Sequence, residues 1–477
     1  MMNVRKVIRV RQFSTRKVGA DRADGVGPRR PTGAGRARRA GMWGAALLLL
    51  LGVLCGVTPS ASAIAEPDQS APTTVSLTFD DGFASQLNAQ QMLAEHHMNG
   101  TFYIPSGFIG LEGRLTLPQI QAIQADGNEI GGHTVNHRHL PLLDPAEQAR
   151  QICDDRVALS QDGLRVTSFA YPFAGLDASA KQVVQNCGYN SARAEEGLSA
   201  GGDCPVCPSG ESMPPADPYS LRTATPVISS TTLSSIQQQI ADAQANGGGW
   251  VPIVFHEVCD GCSDMAISLA DFAALLDWLD SRAGDGIAVA TVDQVIGGAV
   301  QNPIAGPPDQ RPDGQLVNPS LEALTPFSYP EGQSECWEQS GFGVNTAAWA
   351  RVPSAHSGSW AEQVSMESRT SGDQKLITRQ DSGSCSPAVK PGRSYTLSAW
   401  YTSTAPTRMV AFYRKPGGAW VYWTGSPQAD PSADWTQLTW QTPAIPADAT
   451  RLSFGLQLAD VGTLTIDDYA MTPDPSP

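Results

Sequence analysis

The sequence predicts an α/β domain with a parallel, barrel-like sheet, followed by an all-β sandwich of the jelly-roll kind. Between residues 66 and 300, short apolar strands alternate with helical patterns, which is typical of βα units in a parallel sheet. After residue 316 the hydrophobic period becomes two, with turn signals between short strands. Residues 301–315 hold four prolines and two glycines, which predicts a semi-rigid linker between the two domains.

The N-terminal region, residues 1–65, has the layout of an export signal. Its first 41 residues carry twelve Arg or Lys and two Asp, a net charge of +10. An uncharged, mostly apolar run follows at 42–58, and small residues suited to cleavage lie at 61–65. We therefore expect a secreted or cell-wall-associated protein. The alternatives are a translation start nearer Met42 and an uncleaved single-span anchor, which would bring the chain to a membrane.

Charge limits the partners that the exported part can have. The whole chain has a formal net charge of −15, so removing the +10 of the first 41 residues and the uncharged 42–65 leaves −15 − 10 = −25. Such an acidic surface argues against nucleic acid and anionic membranes as partners. It suits a neutral or cationic polymer.

The first domain is predicted to begin with a strand at 75–79 and to continue as repeated βα units. A helix start is marked by Asp144, with Pro145 in the first turn and Glu147 at the third position, and Ser268 is predicted to cap another helix. About seven strands favour closure of the sheet into a barrel. The remaining strands are expected at 101–104, 129–132, 168–171, 190–193, 250–256 and 287–291, and helices at 84–96, 117–125, 179–186, 233–246 and 269–282.

The second domain, 316–473, is predicted to contain short strands separated by turns such as that at 416–418. Eight of the eleven tryptophans lie after residue 330, so some could stack on sugar rings. Trp400 and Trp440 are expected in the core between sheets. The predicted strands are 395–401, 409–413, 420–423, 436–440, 451–456 and 464–471.

Eight cysteines lie beyond the signal region, an even number that suggests disulfides in an exported chain. Cys336 and Cys385 are expected to pair in the second domain, and Cys153 and Cys187 in the first. Two CxxC pairs, Cys204 with Cys207 and Cys259 with Cys262, suit either two disulfides or one four-thiolate zinc site. Outside the cell, two disulfides are favoured.

Two adjacent carboxylates, Asp80 and Asp81, follow the strand at 75–79 and precede Gly82. Neighbouring residues on an extended chain point in opposite directions, so the two are expected to differ in role. One can bind a metal while the other transfers a proton. The alternative is structural, because Asp-Asp-Gly is also common in turns.

Three histidines also follow predicted strands. His133 and His137 lie four residues apart, and on one helical turn both imidazoles would face the same side, where one cation can bridge them. Together with a carboxylate they make a facial ligand set that leaves positions for water and substrate. His256 ends an apolar strand and can protonate a leaving group near neutral pH. Its alternative is a histidine satisfied by a local hydrogen bond.

A further strand ends in Tyr171, Pro172 and Phe173. This arrangement predicts a rigid aromatic loop that lines a groove and offers a backbone N–H to an oxyanion. The alternative is a proline-terminated strand with no functional role.

The order of these motifs resembles that of the polysaccharide deacetylase (NodB homology) family, also called carbohydrate esterase family 4. The motifs are TFDDG at 78–82, HTVNH at 133–137, the Tyr-Pro-Phe loop and the strand ending in His256. The resemblance spans roughly residues 73–297 and implies a distorted (β/α) barrel that holds a divalent metal, usually zinc.

The resemblance also implies a division of roles. Asp81, His133 and His137 would bind the metal, Asp80 would be the general base, and His256 would be the general acid. The metal and the backbone N–H of Tyr171 would stabilise the oxyanion.

Two departures from the family pattern affect the expected site. Many members have an arginine before the proline of the third motif, whereas residues 170–172 are Ala-Tyr-Pro. We expect Arg222, near the start of a strand-like segment at 221–227, to supply the cation that orients the base. No Asp-x-x-x-Trp segment that would orient His256 is evident in the sequence.

The resemblance implies a metal-dependent N-deacetylase, a hydrolase of non-peptide carbon–nitrogen bonds. Its substrates would be N-acetylglucosamine-containing glycans such as chitin-like polymers, peptidoglycan or poly-N-acetylglucosamine. A xylan O-acetyl esterase would use the same catalytic parts, and a non-catalytic glycan-binding or wall-binding protein is the third alternative. The second domain loosely resembles the jelly-roll carbohydrate-binding modules of families 4 and 9.

Overall fold

A computed structural model describes residues 71–199, 204, 206–308, 313–326 and 332–474. The predicted export signal and the alternative membrane anchor lie outside these residues. Within the described ranges, no helix is long and apolar enough to cross a membrane.

The first domain is built on an eight-stranded parallel sheet with helices between the strands. Its strands are β1 (Thr73–Phe79), β2 (Thr101–Ile104), β3 (Glu129–Gly132), β4 (Val166–Ala170), β5 (Ser191–Gly197), β6 (Leu221–Thr223), β7 (Gly249–Phe255) and β10 (Ile287–Val289); a small ladder joins β8 (Glu257–Val258) to β9 (Ala266–Ile267). The helices are α1 (Gln86–Glu95), α2 (Leu117–Ala125), α3 (Pro145–Ala149), α4 (Asp155–Gln161), α5 (Ala178–Asn186), α6 (Leu233–Ala245), α7 (Leu269–Arg282) and α8 (Val292–Ile296).

Strand β1 is the centre of this sheet. It pairs with β7 along its whole length and also with β2 and β10. Between β6 and β7, the Val227 N–H donates to the Val254 carbonyl at 2.8 Å, so the sheet is nearly closed. The predicted barrel-like architecture is confirmed.

The apolar side chains of β1 lie in the barrel-domain core. Phe79 stacks on Phe102 and Phe255, with ring centroids 4.7 and 5.5 Å apart. The polar residues Thr73, Ser76 and Thr78 of β1 are buried too, because a strand of a parallel barrel is covered on both faces. They are satisfied internally: the Ser76 hydroxyl donates to the Ala290 carbonyl and the Thr78 hydroxyl to the Ile253 carbonyl.

Local capping places several helices where the sequence predicts them. Helices α2 and α7 have the predicted bounds. The Asp144 carboxylate accepts a hydrogen bond from the Glu147 N–H at 3.0 Å, and the Ser268 hydroxyl accepts one from the Asp271 N–H at 3.0 Å. Each bond satisfies a donor that the first helical turn leaves unpaired.

The second domain is a sandwich of two five-stranded antiparallel sheets, as predicted. One sheet has the order β11 (Trp337–Phe342), β14 (Asp373–Thr378), β19 (Arg451–Leu458), β16 (Thr407–Arg414) and β17 (Trp420–Gly425). The other has the order β12 (Asn345–Val352), β13 (Ala361–Arg369), β20 (Gly462–Pro473), β15 (Tyr395–Ser403) and β18 (Ser432–Gln441). The sequence did not predict strands β11 to β14, because the alternation of apolar and polar residues in them is weak.

The sandwich tryptophans are divided between core and surface. Trp337 is fully buried against Tyr469, and its indole N–H donates to the Asn318 carbonyl. Trp440 packs at the edge of the core, whereas Trp400 is half-buried and stacks on His356 with centroids 3.9 Å apart. The expectation that Trp400 lies in the core is therefore wrong.

The eight described cysteines form four disulfides: Cys153–Cys187, Cys204–Cys207, Cys259–Cys262 and Cys336–Cys385. The two expected long-range pairs are present. Both CxxC pairs are closed within themselves, so their sulfurs do not make a four-thiolate zinc site.

Residues 301–308 of the connecting segment lie on the first domain. The Gln301 carbonyl accepts a hydrogen bond from Arg156 at 2.7 Å, and the Gly306 N–H donates to Asp154 at 2.8 Å. These bonds hold residues 301–308 against α4 and the turn before it, so this part is not a free spacer.

Candidate metal and catalytic site

The candidate site lies at the carboxyl ends of the barrel strands. Asp80 and Asp81 follow β1, His133 follows β3, and His256 follows β7. Parallel strands deliver their carboxyl ends to one edge of a sheet, so side chains far apart in the sequence meet there.

Asp81, His133 and His137 form a compact group, which we call the metal group after its predicted role. Asp81 Oδ1 lies 3.4 Å from His133 Nε2 and 3.0 Å from His137 Nε2. The three side chains offer ligand atoms within 4.8 Å of one another. The structure thus brings together the three residues predicted to bind a metal.

The geometry of this group fits a cation. Although both imidazoles lie near Asp81 Oδ1, this buried oxygen has no hydrogen-bond donor among the described residues. His133 Nδ1 lies 2.7 Å from the Ala170 carbonyl, which fixes the proton on Nδ1 and leaves the Nε2 lone pair free. Two imidazole nitrogens and one carboxylate oxygen are a ligand set typical of zinc and related divalent ions.

Neighbouring groups hold the ligand backbones in place. The buried Asp155 carboxylate accepts hydrogen bonds from the N–H groups of His133 and Ser106 at 2.9 and 2.8 Å. Burial raises the pKa of Asp155 to about 7, although these bonds favour its charged form. Asp81 adopts a left-handed backbone (φ 75°), and its carbonyl accepts a hydrogen bond from Arg114 at 2.6 Å.

Asp80 has a partner of its own, Arg193. The two side chains form a buried ion pair through Asp80 Oδ1 and the Arg193 guanidinium. Burial alone would raise the pKa of Asp80, but the charges of Arg193, His133 and His256 outweigh it and leave this pKa below its usual value. Asp80 is therefore an ionised, buried carboxylate, as a general base must be.

The cation beside Asp80 is thus Arg193, and the expectation for Arg222 is wrong. Arg222 forms an ion pair with Glu211 at 2.6 Å and is partly exposed. Arg193 comes from β5 and packs over the Tyr103 ring at 4.8 Å. A sequence signal for it existed, because Arg193 ends a predicted parallel strand, the same position from which the other site residues come.

His256 lies close to Asp80 and is 7% exposed. Gln86 joins their main chains, because its amide donates to the carbonyls of Asp80 at 2.6 Å and His256 at 2.9 Å. Burial lowers the pKa of His256, against the opposing charges of Asp80 and Asp81. Its Nδ1 is buried and has no hydrogen-bond partner among the described residues.

Glu195 is a further residue of the site that motif reasoning missed. It lies two positions after Arg193 on β5, and its carboxylate is within 4.8 Å of ligand atoms of Asp80 and His256. Burial and the Asp80 charge raise its pKa to about 7, against the charges of Arg193 and His133. No motif signals it, since a glutamate near a strand end is ordinary.

The aromatic loop is in the predicted place, but one of its expected roles is wrong. The Tyr171 N–H donates to the Arg193 carbonyl at 3.0 Å, so it is not available to an oxyanion. Pro172 is buried, whereas Phe173 is 60% exposed with its ring 4.5 Å from that of His137. Phe173 therefore offers an open aromatic face beside the metal group.

Part of the chain is similar in sequence to known proteins. The family profile described as Polysaccharide deacetylase matches residues 68–192. The predicted polysaccharide deacetylase YxkH of Bacillus subtilis (strain 168) is 24% identical over 137 residues, which is 28% of this chain and 49% of YxkH. The chain thus spans about half the length of this curated relative.

Among solved structures, the Streptococcus pyogenes deacetylase PplD in complex with acetate is 22% identical, with a TM-score of 0.29 over 34% of this chain and 69% of that one. The Xyl-CE4 domain of a multidomain xylanase from the hindgut metagenome of Trinervitermes trinervoides is 18% identical, with a TM-score of 0.32 over 47% and 89%.

The family profile covers Asp80, Asp81, His133 and His137 and ends one residue before Arg193. Asp80, Asp81 and His133 lie at the strand ends described above. Residues 68–192 therefore match the polysaccharide deacetylase family.

Proposed function

We propose that this protein is a secreted, zinc-dependent deacetylase that hydrolyses N-acetyl groups of N-acetylglucosamine-containing glycans. The observation that carries this proposal is the separation of two carboxylates. Asp81 faces two imidazole nitrogens, whereas Asp80 is paired with Arg193 beside His256. One group suits a divalent cation and the other suits proton transfer.

A cation held by Asp81, His133 and His137 would supply Lewis acidity, polarising the acetyl carbonyl and acidifying the attacking water. Asp80 accepts the proton of that water. His256 donates a proton to the departing nitrogen, so that acetate and a free amine are the products. Phe173 presents an apolar face on which a sugar ring can stack beside the reacting group.

Glu195 can pass a proton between Asp80 and His256. His256 has a lowered pKa and is mostly neutral at pH 7, so it must gain a proton before it can donate one. Glu195 lies near both Asp80 and His256 and has a pKa of about 7, so it is well suited to hold the proton between them. A carboxyl group with a pKa near the working pH exchanges protons readily in both directions.

Glu195→Gln should lower kcat by about tenfold, because the amide cannot exchange a proton. Zinc binding should be unchanged, and the dependence of kcat on pH should change around pH 7. Glu196→Gln is the matched control, since Glu196 is the next residue but is exposed. If the two variants have the same kcat and pH profile, Glu195 has no part in proton transfer.

The proposed function is tested by acetate release from N-acetylglucosamine oligomers and from acetylated xylan, each with and without a chelator. We expect acetate release from the oligomers. Chelation should abolish this release, because it removes the cation from Asp81, His133 and His137, and added zinc should restore it. Release from xylan alone would favour the O-acetyl esterase. Chelator-insensitive release, or none from either substrate, would contradict the metal-dependent enzyme.

Export is part of the same proposal. Four disulfides support an oxidising compartment, and the basic-then-apolar order of residues 1–65 supports a secretory signal. For the sandwich we propose glycan binding, supported by the 54% exposed ring of Tyr422 and the 38% exposed ring of Trp360.

A further inference from the structure

The segment between the two histidines of the metal group is covered by the second domain. Asn136 lies in this segment, and its side-chain amide donates to the Gly418 carbonyl at 2.6 Å. Gly418 belongs to the turn at 415–418, which joins β16 to β17 in the sandwich. The turn is closed by a hydrogen bond from the Gly418 N–H to the Lys415 carbonyl at 2.9 Å.

The contact at this turn is too close for a side chain. Gly418 has a left-handed backbone (φ 95°), and a Cβ added there would lie 2.2 Å from Val135 Cγ1. Val135 itself is buried and held on both sides: its N–H donates to the Gln151 carbonyl at 3.0 Å, and its carbonyl accepts from the Gly107 N–H at 2.9 Å.

A second sandwich segment, around Ser382, extends the contact. The Gln151 amide donates to Asn136 Oδ1 at 3.2 Å, to Glu147 at 2.9 Å and to the Ser382 hydroxyl at 2.9 Å. The Ser382 N–H in turn donates to Glu147 at 2.6 Å. Asn136 is therefore tied to the sandwich both directly and through Gln151.

Arg138, which follows His137, also contacts the sandwich. Arg138 pairs with Glu338 of the sandwich at 2.9 Å and also donates to the Gln380 carbonyl. Thr134 and His137 have left-handed backbones, with φ of 65° and 52°. Such conformations are unfavourable for residues with side chains and persist only where surrounding contacts hold them.

We propose that the sandwich is part of the support of the metal centre: its 415–418 turn holds the segment between His133 and His137, so that cation affinity depends on this interdomain contact. The inference rests on the proposed role of Asp81, His133 and His137 as ligands. It assigns Gly418 and Asn136 as positioning residues, which act on the cation through the backbone that carries the two imidazoles.

The test is the zinc affinity of the full-length chain, measured by competition with a chromogenic chelator. Gly418→Ala places a Cβ against Val135, so we expect zinc to bind at least about tenfold more weakly. Gly417→Ala is the matched control in the same turn, because a Cβ there meets nothing within 4 Å, and its affinity should equal that of the unchanged protein. Cooperative thermal unfolding checks that each variant is folded.

Asn136→Ala is a second variant that introduces no clash and removes only the side-chain bond to Gly418. We expect it to weaken zinc binding severalfold. Unchanged affinity in both Gly418→Ala and Asn136→Ala would overturn the inference while leaving the metal site intact. If the unchanged protein binds no zinc, the proposed metal site fails, and the inference fails with it.

Discussion

Replacing Asp80 with asparagine should lower acetate release by about 10²–10⁴-fold while zinc remains bound. The Asp80 carboxylate is paired with Arg193, and the metal group has its own carboxylate in Asp81. An asparagine amide cannot accept the proton of the attacking water, but it can still accept a hydrogen bond from Arg193. Steady-state acetate release and zinc content of the purified variant check this outcome.

Asp81→Asn is the companion variant, and it should lose zinc and activity together. Its carboxylate oxygen lies between two imidazole nitrogens, and a neutral amide oxygen is a much poorer ligand for a divalent cation. Equal loss of zinc in both variants would show that the two carboxylates do not have separate roles.

Replacing Arg193 with methionine has the second largest expected effect. Arg193 is 1% exposed and forms a buried ion pair with Asp80, so its loss leaves a buried carboxylate without a cation. Removing one partner of such a pair typically costs about 3–5 kcal/mol of unfolding free energy. Misplacement of the base should lower kcat on the order of 10²-fold, as measured by acetate release and denaturant unfolding.

Arg222→Met is the control for this prediction. Arg222 contacts Glu211 and is partly exposed, so its replacement should leave kcat close to that of the unchanged protein. Arg193→Lys keeps the charge but not the planar guanidinium and should recover part of the lost activity. Loss of activity in Arg222→Met with full activity in Arg193→Met would reverse the assignment.

The contact between the domains bears on what the sandwich does. A glycan-binding module on a flexible linker would place substrate near the enzyme without affecting its metal. Here residues 301–308 are bonded to the first domain, and Gly418 contacts the segment between His133 and His137. Removal of the sandwich is therefore expected to expose Val135 and to disturb the metal group.

Much of the site was predictable because its motifs end parallel strands. Asp81, His133 and His137 were expected to converge, and Asp81 Oδ1 lies 3.4 Å from His133 Nε2 and 3.0 Å from His137 Nε2. The barrel closure and the sandwich were also predicted, since hydrophobic period and turn signals are local properties of the chain.

Three features of the site could not be predicted from motifs at strand ends. The choice between Arg193 and Arg222 depends on how the strands lie in space, since β5 and β6 each carry an arginine. Glu195 belongs to no motif. The Tyr171 N–H was expected to be free, but the neighbouring strand presents the Arg193 carbonyl to it.

The sequence alone was enough to predict an α/β part followed by an all-β part, and the convergence of motif residues from separate strand ends, because both follow from periodicity and local motifs. The resemblance of these motifs to a known family suggested which side chains would bind a metal. The three-dimensional structure was needed to show which arginine pairs with Asp80, where Glu195 lies, and that Gly418 of the sandwich packs on Val135 of the barrel. Arg193 and Asp80 are 113 positions apart in the sequence, and Asn136 and Gly418 are 282 positions apart. Such pairings depend on strand order and close packing in space, for which the local pattern of the chain carries no signal.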